Sequence, residues 1–266
     1  MATRVRPAAV AGSFYPDSPS RLRGMIEDLL REAPAPSASA PKAIIAPHAG
    51  YVFSGPIAAS AFRSVASAAA TITRVVLLGP AHFVPIHGLA LPDTNHFATP
   101  LGEVTVDSEG ARDSLRLPQV RVQPAAHAQE HSLEVEIPFL QVVLGERFAI
   151  VPLVVGDASS EEVAGVLDEL WGGPETLIVI SSDLSHFLPY EQARETDAAT
   201  AARILALDEP LDGREACGAR PINGLLLAAR RKGLVPELLD LRNSGDTAGD
   251  RGRVVGYGAF GFREAA

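Results

Sequence analysis

The sequence predicts a single-domain α/β protein, spanning residues 1–266, whose mostly parallel sheet is flanked by helices. Short apolar runs bounded by Gly, Pro or Asp alternate along the chain with segments of helical period, which is typical of parallel strands joined by helices. With 47% hydrophobic and 21% charged residues, a chain of 266 residues also has enough apolar side chains for one large core.

The strand predictions rest on the apolar runs, which have the length of strands and are bounded by turn residues. Buried parallel strands are expected at residues 43–46, 75–78, 150–155, 177–180 and 238–241. Residues 104–106 and 254–262 are expected as antiparallel additions at an edge of the sheet.

Helical patterns separate these runs along the chain. They cover residues 19–31, 57–69, 133–143, 160–170, 190–207 and 222–232. Pro56 and Pro221 are expected in the first turn of their helices, where a missing N–H costs no hydrogen bond, and Gly233 suits a helix end. The stretch 33–41, rich in Ala, Pro and Ser, predicts a surface loop after the first helix.

The charge and cysteine content exclude several classes of protein. The 23 Lys and Arg against 32 Asp and Glu leave a net charge of −9, and no basic run occurs, so we expect no nucleic-acid partner. The apolar runs are too short to cross a membrane and no signal peptide is evident, so we expect a cytoplasmic protein. The single cysteine, Cys217, excludes an intrachain disulfide and a cysteine-based metal cluster.

Polar side chains follow the ends of several predicted strands. In an open α/β sheet, ligands bind beyond the carboxyl ends of the strands, so these side chains are expected at one edge. The residues are His48, His82, Asp183, His186 and Asp246. Imidazoles with carboxylates suit Fe, Zn, Cu or Mn, and two His with one carboxylate are typical of non-haem Fe(II) oxygenases. A further His can act there as acid or base. The alternative is that each His satisfies a local loop.

Two local features leave alternatives open. His127, Glu130 and His131 match the H-x-x-E-H pattern, in which two His on one helix bind zinc and the Glu acts as a base. The alternative is a loop that leads into the next helix. Cys217 precedes a predicted helix, where a thiolate can be reactive or bind metal. The alternative, which we favour, is that Cys217 is a small buried hydrophobe.

Several segments resemble the Memo family, in the same order as in that family, and together they cover almost the whole chain. They are VRPAAVAGSFYP (5–16), APHAGY (46–51), LGPAH (78–82), EHSLE (130–134), SSDLSH (181–186), CGARPI (217–222) and NSGD (243–246). No single segment is decisive, but the ordered set is specific.

The resemblance implies a fold similar to that of the class III (LigB-like) extradiol dioxygenases, which are non-haem iron enzymes. It implies that His48 and His82 bind the metal, with Fe(II) expected first and Zn or Cu as alternatives. Some members carry a Cys in the loop after the last strand, and Thr247 falls closest to it. The third ligand therefore stays open between Asp246, Thr247 and none.

The resemblance also implies roles for further residues and for partners. His186, with Asp183 before it, corresponds to the acid/base of the dioxygenases, and Glu130 and His131 match a further motif of the cleft. Bacterial and archaeal members are often named as protein B of the AmmeMemoRadiSam system. Its other components, an AMMECR1-domain protein and a radical SAM protein, are therefore expected partners.

Three functions are consistent with these features of the sequence. The first is a dioxygenase-like oxidoreductase with Fe(II) at the carboxyl edge of the sheet and a small-molecule substrate. The second is a binding protein for a peptide or a small anion, in which the His residues and Arg220 are contacts. The third is a metal-dependent hydrolase in which His186 or Glu130 activates water.

Overall fold

The computed structural model describes residues 4–36 and 39–265, and within these ranges twelve strands form one mixed sheet. The strands are β1 (Val5–Arg6), β2 (Ala43–Ala46), β3 (Arg74–Pro80), β4 (Leu89–Leu91), β5 (His96–Thr99), β6 (Gly102–Val106), β7 (Val120–Val122), β8 (Ala149–Val155), β9 (Thr176–Ser181), β10 (His186–Leu188), β11 (Val235–Asn243) and β12 (Val254–Arg263). The α-helices are α1 (Pro19–Glu32), α2 (Tyr51–Ser64), α3 (Ser108–Ser114), α4 (Pro124–Ala128), α5 (Ile137–Leu144), α6 (Ser160–Glu169), α7 (Tyr190–Leu205), α8 (Ala219–Lys232) and α9 (Ser244–Thr247). Turns of 3-10 helix cover Ala66–Ala68 and Glu134–Glu136.

The centre of the sheet consists of four parallel strands in the order β8–β3–β9–β2. Val76 of β3, for example, pairs with Val151 of β8 and with Ile178 of β9. These strands are covered on both faces, which explains why they occur in the sequence as continuous apolar runs. The predicted α/β fold with a mostly parallel sheet is therefore confirmed.

Alternate side chains of the central strands enter two hydrophobic cores, one on each face of the sheet. Ile44 of β2 and Val75 of β3 belong to the first core, and their neighbours Ile45 and Val76 belong to the second. Helices α1, α2 and α5 contribute to the first core, whereas α6, α7 and α8 contribute to the second.

Three strand predictions need correction. β6 lies between β5 and β8, and β12 lies between β2 and β11, so neither is an edge strand. β11 covers the predicted strand 238–241, but it pairs antiparallel with β12 instead of joining the parallel set. The apolar pattern of β12 fits a strand with neighbours on both sides, and the sequence pattern does not specify which strand pairs with which.

The helix predictions are mostly confirmed, with two corrections. α2 begins at Tyr51 and not at residue 57, because the N–H groups of Phe53 and Ser54 bond to the Gly50 carbonyl, and Pro56 therefore lies inside the helix. The predicted helix 133–143 is a 3-10 turn followed by α5. Residues 37 and 38 of the predicted loop 33–41 lie outside the described residues. No helix in the described part of the chain has the length and apolar character that crossing a membrane requires.

The N-terminal segment, residues 4–15, is held against the body of the protein by the buried carboxylate of Glu134. This carboxylate forms an ion pair with Arg6, and both side chains are almost fully buried. It also accepts hydrogen bonds from the Val10 N–H at 3.0 Å and from the Tyr15 hydroxyl at 2.5 Å. The carbonyl of Phe14 in turn accepts the N–H of Tyr51, which ties the segment to the start of α2.

We expect the substitution Glu134→Gln to lower the free energy of unfolding by about 3–5 kcal/mol, because it leaves the buried Arg6 charge unpaired. Chemical denaturation of wild type and variant measures this difference. The matched control is Glu161→Gln, which removes an exposed partner of Arg231 and should leave stability unchanged. Equal midpoints for Glu134→Gln and the control would contradict the structural role of Glu134.

Candidate metal centre

Three histidines from separate parts of the chain meet at the carboxyl edge of the central strands. His48 follows β2, His82 follows β3, and His131 lies between α4 and the Glu134–Glu136 turn. One ring nitrogen of each lies within 4.8 Å of the others, and the rings of His82 and His131 stack with their centroids 4.8 Å apart. His48 is buried and the other two are partly accessible.

The topology explains why His48 and His82 come together. β2 and β3 lie on either side of β9 and run parallel to it, so the two strands end at the same edge. The segment after β9 then fixes the first of them, because Oδ1 of Asp183 accepts the backbone N–H of His48 at 2.9 Å. The rule that ligands bind beyond the carboxyl ends of parallel strands therefore accounts for the positions of His48 and His82.

The carboxylate of Glu130 holds the other two histidines in place. It accepts the backbone N–H groups of His82, His131 and Ser132, at 2.6, 3.0 and 2.9 Å. Its Oε1 also lies 2.8 Å from Nδ1 of His82. Burial alone would raise the pKa of Glu130, but these hydrogen bonds outweigh it and lower the pKa to about 2. Glu130 is therefore ionised and acts as an acceptor only.

A close approach at the end of β3 makes this arrangement possible. A Cβ on Gly79 would lie 2.7 Å from the hydroxyl oxygen of Ser132, so only glycine fits there without a shift. The same Ser132 hydroxyl donates to the carbonyl of Pro80 at 3.0 Å. The segment that carries Glu130 and His131 is thus packed directly against the strand that carries His82.

The hydrogen bonds of the imidazoles leave ring nitrogens free for a metal. Because ionised Glu130 can only accept, Nδ1 of His82 carries a proton, and its Nε2 is the nitrogen left for a metal. Nδ1 of His48 lies 2.7 Å from the Ser181 hydroxyl. Burial, followed by the neighbouring imidazoles, lowers the pKa of His48, and burial likewise lowers the pKa of His131. Neutral imidazoles with the second nitrogen hydrogen-bonded are the form in which His binds metals. The donor set therefore fits a metal that prefers imidazole, such as Zn, Cu or Fe.

Two other predicted site residues, Asp183 and His186, lie beside the cluster. Asp183 is buried, and burial raises the pKa of its carboxyl group to about 6, against the opposing effect of nearby His186. His186 is exposed at the start of β10, and its Nδ1 lies 2.8 Å from the Leu184 carbonyl, which can only accept. Its Nε2 is therefore the unprotonated nitrogen of the neutral ring. The next residue, Phe187, has a φ of 61°, an uncommon and strained conformation for a residue with a side chain.

Asp246, predicted as a third ligand, does not join the three histidines. Its carboxylate caps α9 by accepting the N–H of Asn243 at 3.0 Å, and it also accepts the hydroxyl of Tyr190. β12 separates β11 from β2, and two strand spacings amount to about 10 Å. Thr247 donates its hydroxyl to the Ser244 carbonyl within the same short helix.

The H-x-x-E-H hypothesis is wrong because α4 ends at Ala128, so no helix spans both histidines of the pattern. His127 is buried away from the cluster, with Nε2 at 2.9 Å from the Ala90 carbonyl and its ring beside Phe97. Burial lowers the pKa of His127 to about 4. Glu130 and His131 instead lie in a loop that leads into the following helix, as the alternative hypothesis predicted.

Cys217 lies closer to the cluster than the sequence suggests. Its Sγ is 3.4 Å from Nε2 of His48 and accepts the N–H of Asp183 at 3.3 Å. Burial raises the pKa of the thiol to about 12, so the position before α8 does not produce a reactive thiolate. The sequence analysis did not predict that Cys217 lies beside His48, and it did not single out Ser181, the hydrogen-bond partner of His48. The available signal was that Ser181 ends a strand at the same edge.

A cavity of about 790 Å³ is lined by Cys217, which contacts His48, and by Pro80 and Ala81, which precede His82. Arg220 lines this cavity and pairs with Asp157 at 2.8 Å, and it also donates to the Ala158 carbonyl. The three cluster histidines do not line the cavity. Arg220 therefore lies on a cavity that adjoins the cluster through Cys217.

Comparison with known proteins agrees with the resemblance found in the sequence. A family model described as "Memo-like protein" matches residues 6–260. A MEMO1 family protein of Methanopyrus kandleri is 38% identical, over 97% of this chain and 99% of the relative. MEMO1 family proteins of Archaeoglobus fulgidus and Aquifex aeolicus are 37% and 36% identical, over 97% and 96% of this chain and 100% and 97% of the relatives.

We expect the free energy of unfolding to fall as the pH is lowered from about 6.5 to about 4, in part because of His127. The folded state holds the pKa of His127 below its unfolded value, so in this window the unfolded state binds the extra proton and is favoured. At roughly 1.4 kcal/mol per pKa unit, the complete loss is roughly 3 kcal/mol.

Chemical denaturation of wild type and His127→Gln at pH 7 and at pH 4.5 tests this expectation. The variant should lose less stability between the two pH values than wild type. His87→Gln, which removes an imidazole with an 88% exposed side chain, is the control and should follow wild type. The same pH dependence in all three proteins would show that His127 does not contribute.

Proposed function

Because this chain belongs to the Memo family and gathers three imidazoles at one edge of its sheet, we propose that it is a metal-dependent oxidoreductase. The proposed ligands are His48, His82 and His131, and the proposed metal is Fe(II). The proposed reaction is the oxidation of a small organic molecule by O2, by analogy with the dioxygenases that the fold family resembles. The family model and the relatives show that the chain belongs to the Memo family, whereas the metal and the reaction are proposed.

The observation that carries the proposal is the convergence of one ring nitrogen from each of three histidines at one edge of the sheet. Burial keeps His48 and His131 neutral, and Glu130 fixes the proton of His82 on Nδ1. A cluster that served only to pack the core would not need one ring nitrogen of each of three imidazoles within 4.8 Å of the others. When bound, Fe(II) supplies the binding and activation of O2, which no side chain of the chain can supply.

The residues around the cluster have distinct tasks in this proposal. His48, His82 and His131 bind the metal, and Glu130 orients His82. His186 is the proposed acid/base, because its Nε2 is free to accept a proton from a substrate hydroxyl and to return it. The strained backbone at neighbouring Phe187 is consistent with such a site, since strain of this kind is concentrated at functional positions.

Aromatic side chains border the cluster and favour an organic substrate. The ring of Phe14 lies 4.8 Å from that of His131, and the ring of Phe83 lies 5.8 Å from it. Phe83 and Phe187 are 57% and 58% exposed, which is unusual for large apolar side chains. Rings in these positions exclude water from one side of the cluster and provide an apolar surface for the body of a substrate.

A second candidate function is metal-dependent hydrolysis. The observation that favours it is the ligand set itself, since three His and an open fourth position occur in catalytic zinc sites. In that case His186 would accept the proton of the attacking water. Zinc in place of iron, with turnover that needs no O2, would favour this function over the first.

We expect His48→Ala, His82→Ala and His131→Ala each to abolish stoichiometric metal binding, because each removes one of three ligands. The measurement is elemental analysis after anaerobic reconstitution with Fe(II). His87→Ala is the matched control, since it removes an exposed imidazole outside the cluster. One iron per chain in wild type and control, lost in the three variants, supports the proposal; full iron in the His48 and His82 variants would contradict it.

We expect His186→Gln to retain the metal but to lose turnover by a factor of about 10²–10⁴, the usual contribution of a positioned acid or base. Oxygen consumption with catechol as the probe, measured beside metal content, tests both parts. Glu191→Gln, a surface substitution on α7, is the control. Unchanged oxygen consumption in His186→Gln would remove His186 from the mechanism without affecting the metal site.

A further inference from the structure

The hydroxyl oxygen of Ser181 makes three close polar contacts behind the metal centre. It lies 2.7 Å from Nδ1 of His48, 2.6 Å from the carbonyl oxygen of Ser132 and 2.8 Å from Oε1 of Glu136. All four residues are buried. Every one of these distances requires a hydrogen atom between the two heavy atoms.

The number of available protons determines how these contacts are arranged. A serine hydroxyl donates once and accepts twice, and a carbonyl can only accept, so the Ser181 proton points to Ser132. Ser181 must then accept from both of its other neighbours. The proton in the first contact belongs to Nδ1 of His48, and the proton in the second can come only from Glu136.

We propose that Glu136 is a neutral carboxylic acid that donates its proton to Ser181 and so helps to position His48 with a bare Nε2. The positioning part rests on the proposed function, since it concerns His48 as a metal ligand. An ionised Glu136 would compete with the Ser132 carbonyl for the Ser181 proton and would place a negative charge behind the imidazole. The neutral acid does neither.

The surroundings of Glu136 agree with a neutral group. Its side chain is fully buried, and its Oε2 has no hydrogen-bond partner among residues 4–36 and 39–265. A bare carbonyl oxygen is far less costly to bury than half of a carboxylate. Burial raises the pKa of Glu136 well above its ordinary value, against the opposing effect of the Ser181 hydroxyl, and the charge of Asp183 acts in the same direction as burial. The nearby hydroxyl of Tyr51 is no donor to it, because it donates to the Val135 carbonyl.

The other side of His48 is consistent with the same arrangement. With its proton on Nδ1, the ring can accept at Nε2, and the neutral thiol of Cys217 lies 3.4 Å from that atom. Glu136 and His48 thus both donate to Ser181, and the thiol of Cys217 faces Nε2 of His48. A metal that binds Nε2 replaces only the weak thiol hydrogen bond.

Infrared difference spectroscopy tests the protonation directly. Wild type should show the carbonyl stretch of a protonated carboxyl group at neutral pH, and this band should be missing from Glu136→Gln. Glu130→Gln is the matched control, since Glu130 is a buried but ionised carboxylate beside the same cluster, and its substitution should leave the band in place. Absence of the band from wild type, or its persistence in Glu136→Gln, would overturn the proposal.

Titration with Co(II) under anaerobic conditions tests the positioning role. Glu136→Gln keeps a neutral donor and should bind Co(II) as wild type does, whereas Glu136→Leu should bind it about 10–100-fold more weakly. Equal weakening in both variants would show that the carboxylate charge is needed and would overturn the proposal. If wild type binds no Co(II), the proposed metal site fails, while the infrared band still decides the protonation of Glu136.

Discussion

The site depends first on one carboxylate that is bound by backbone N–H groups. Glu130 accepts three such groups and the ring of His82, so two histidines from distant parts of the chain are fixed by a single side chain. Hydrogen bonds to an ionised acceptor are about twice as strong as those between neutral groups. These bonds join the loop after β3 to the segment before α5 at the point where His82 and His131 meet.

The fold could be predicted from the sequence because its central strands are buried on both faces. Their apolar runs are continuous, and the runs at 43–46, 75–78, 150–155 and 177–180 correspond to β2, β3, β8 and β9. The outer strands could not be placed in the same way. β11 and β12 form an antiparallel pair whose position depends on pairing partners, and an apolar pattern carries no information on the partner.

The sequence predicted where the candidate residues lie when topology fixes their position, and it did not when local hydrogen bonds fix it. His48 and His82 follow parallel strands, so the strand direction places both at one edge. Asp246 also follows a strand of the same direction, but an intervening strand and its capping bonds keep it away. His131 comes from a segment without a strand, so its approach to the cluster depends on Glu130 and on the missing side chain of Gly79.

Two glutamates close together in the chain lie behind the proposed ligands and have opposite protonation states. Glu130 receives several donors, which outweigh its burial, whereas the carboxyl group of Glu136 contacts a hydroxyl whose proton is already used. The first is therefore an anion that accepts from His82, and the second is an acid that donates to Ser181, the hydroxyl that also accepts from His48. Environments that drive the pKa values of two like groups apart are typical of functional sites. Both states place a ring proton on Nδ1 of a histidine, so one ionised and one neutral glutamate serve the same end, two imidazoles whose Nε2 is left for a metal.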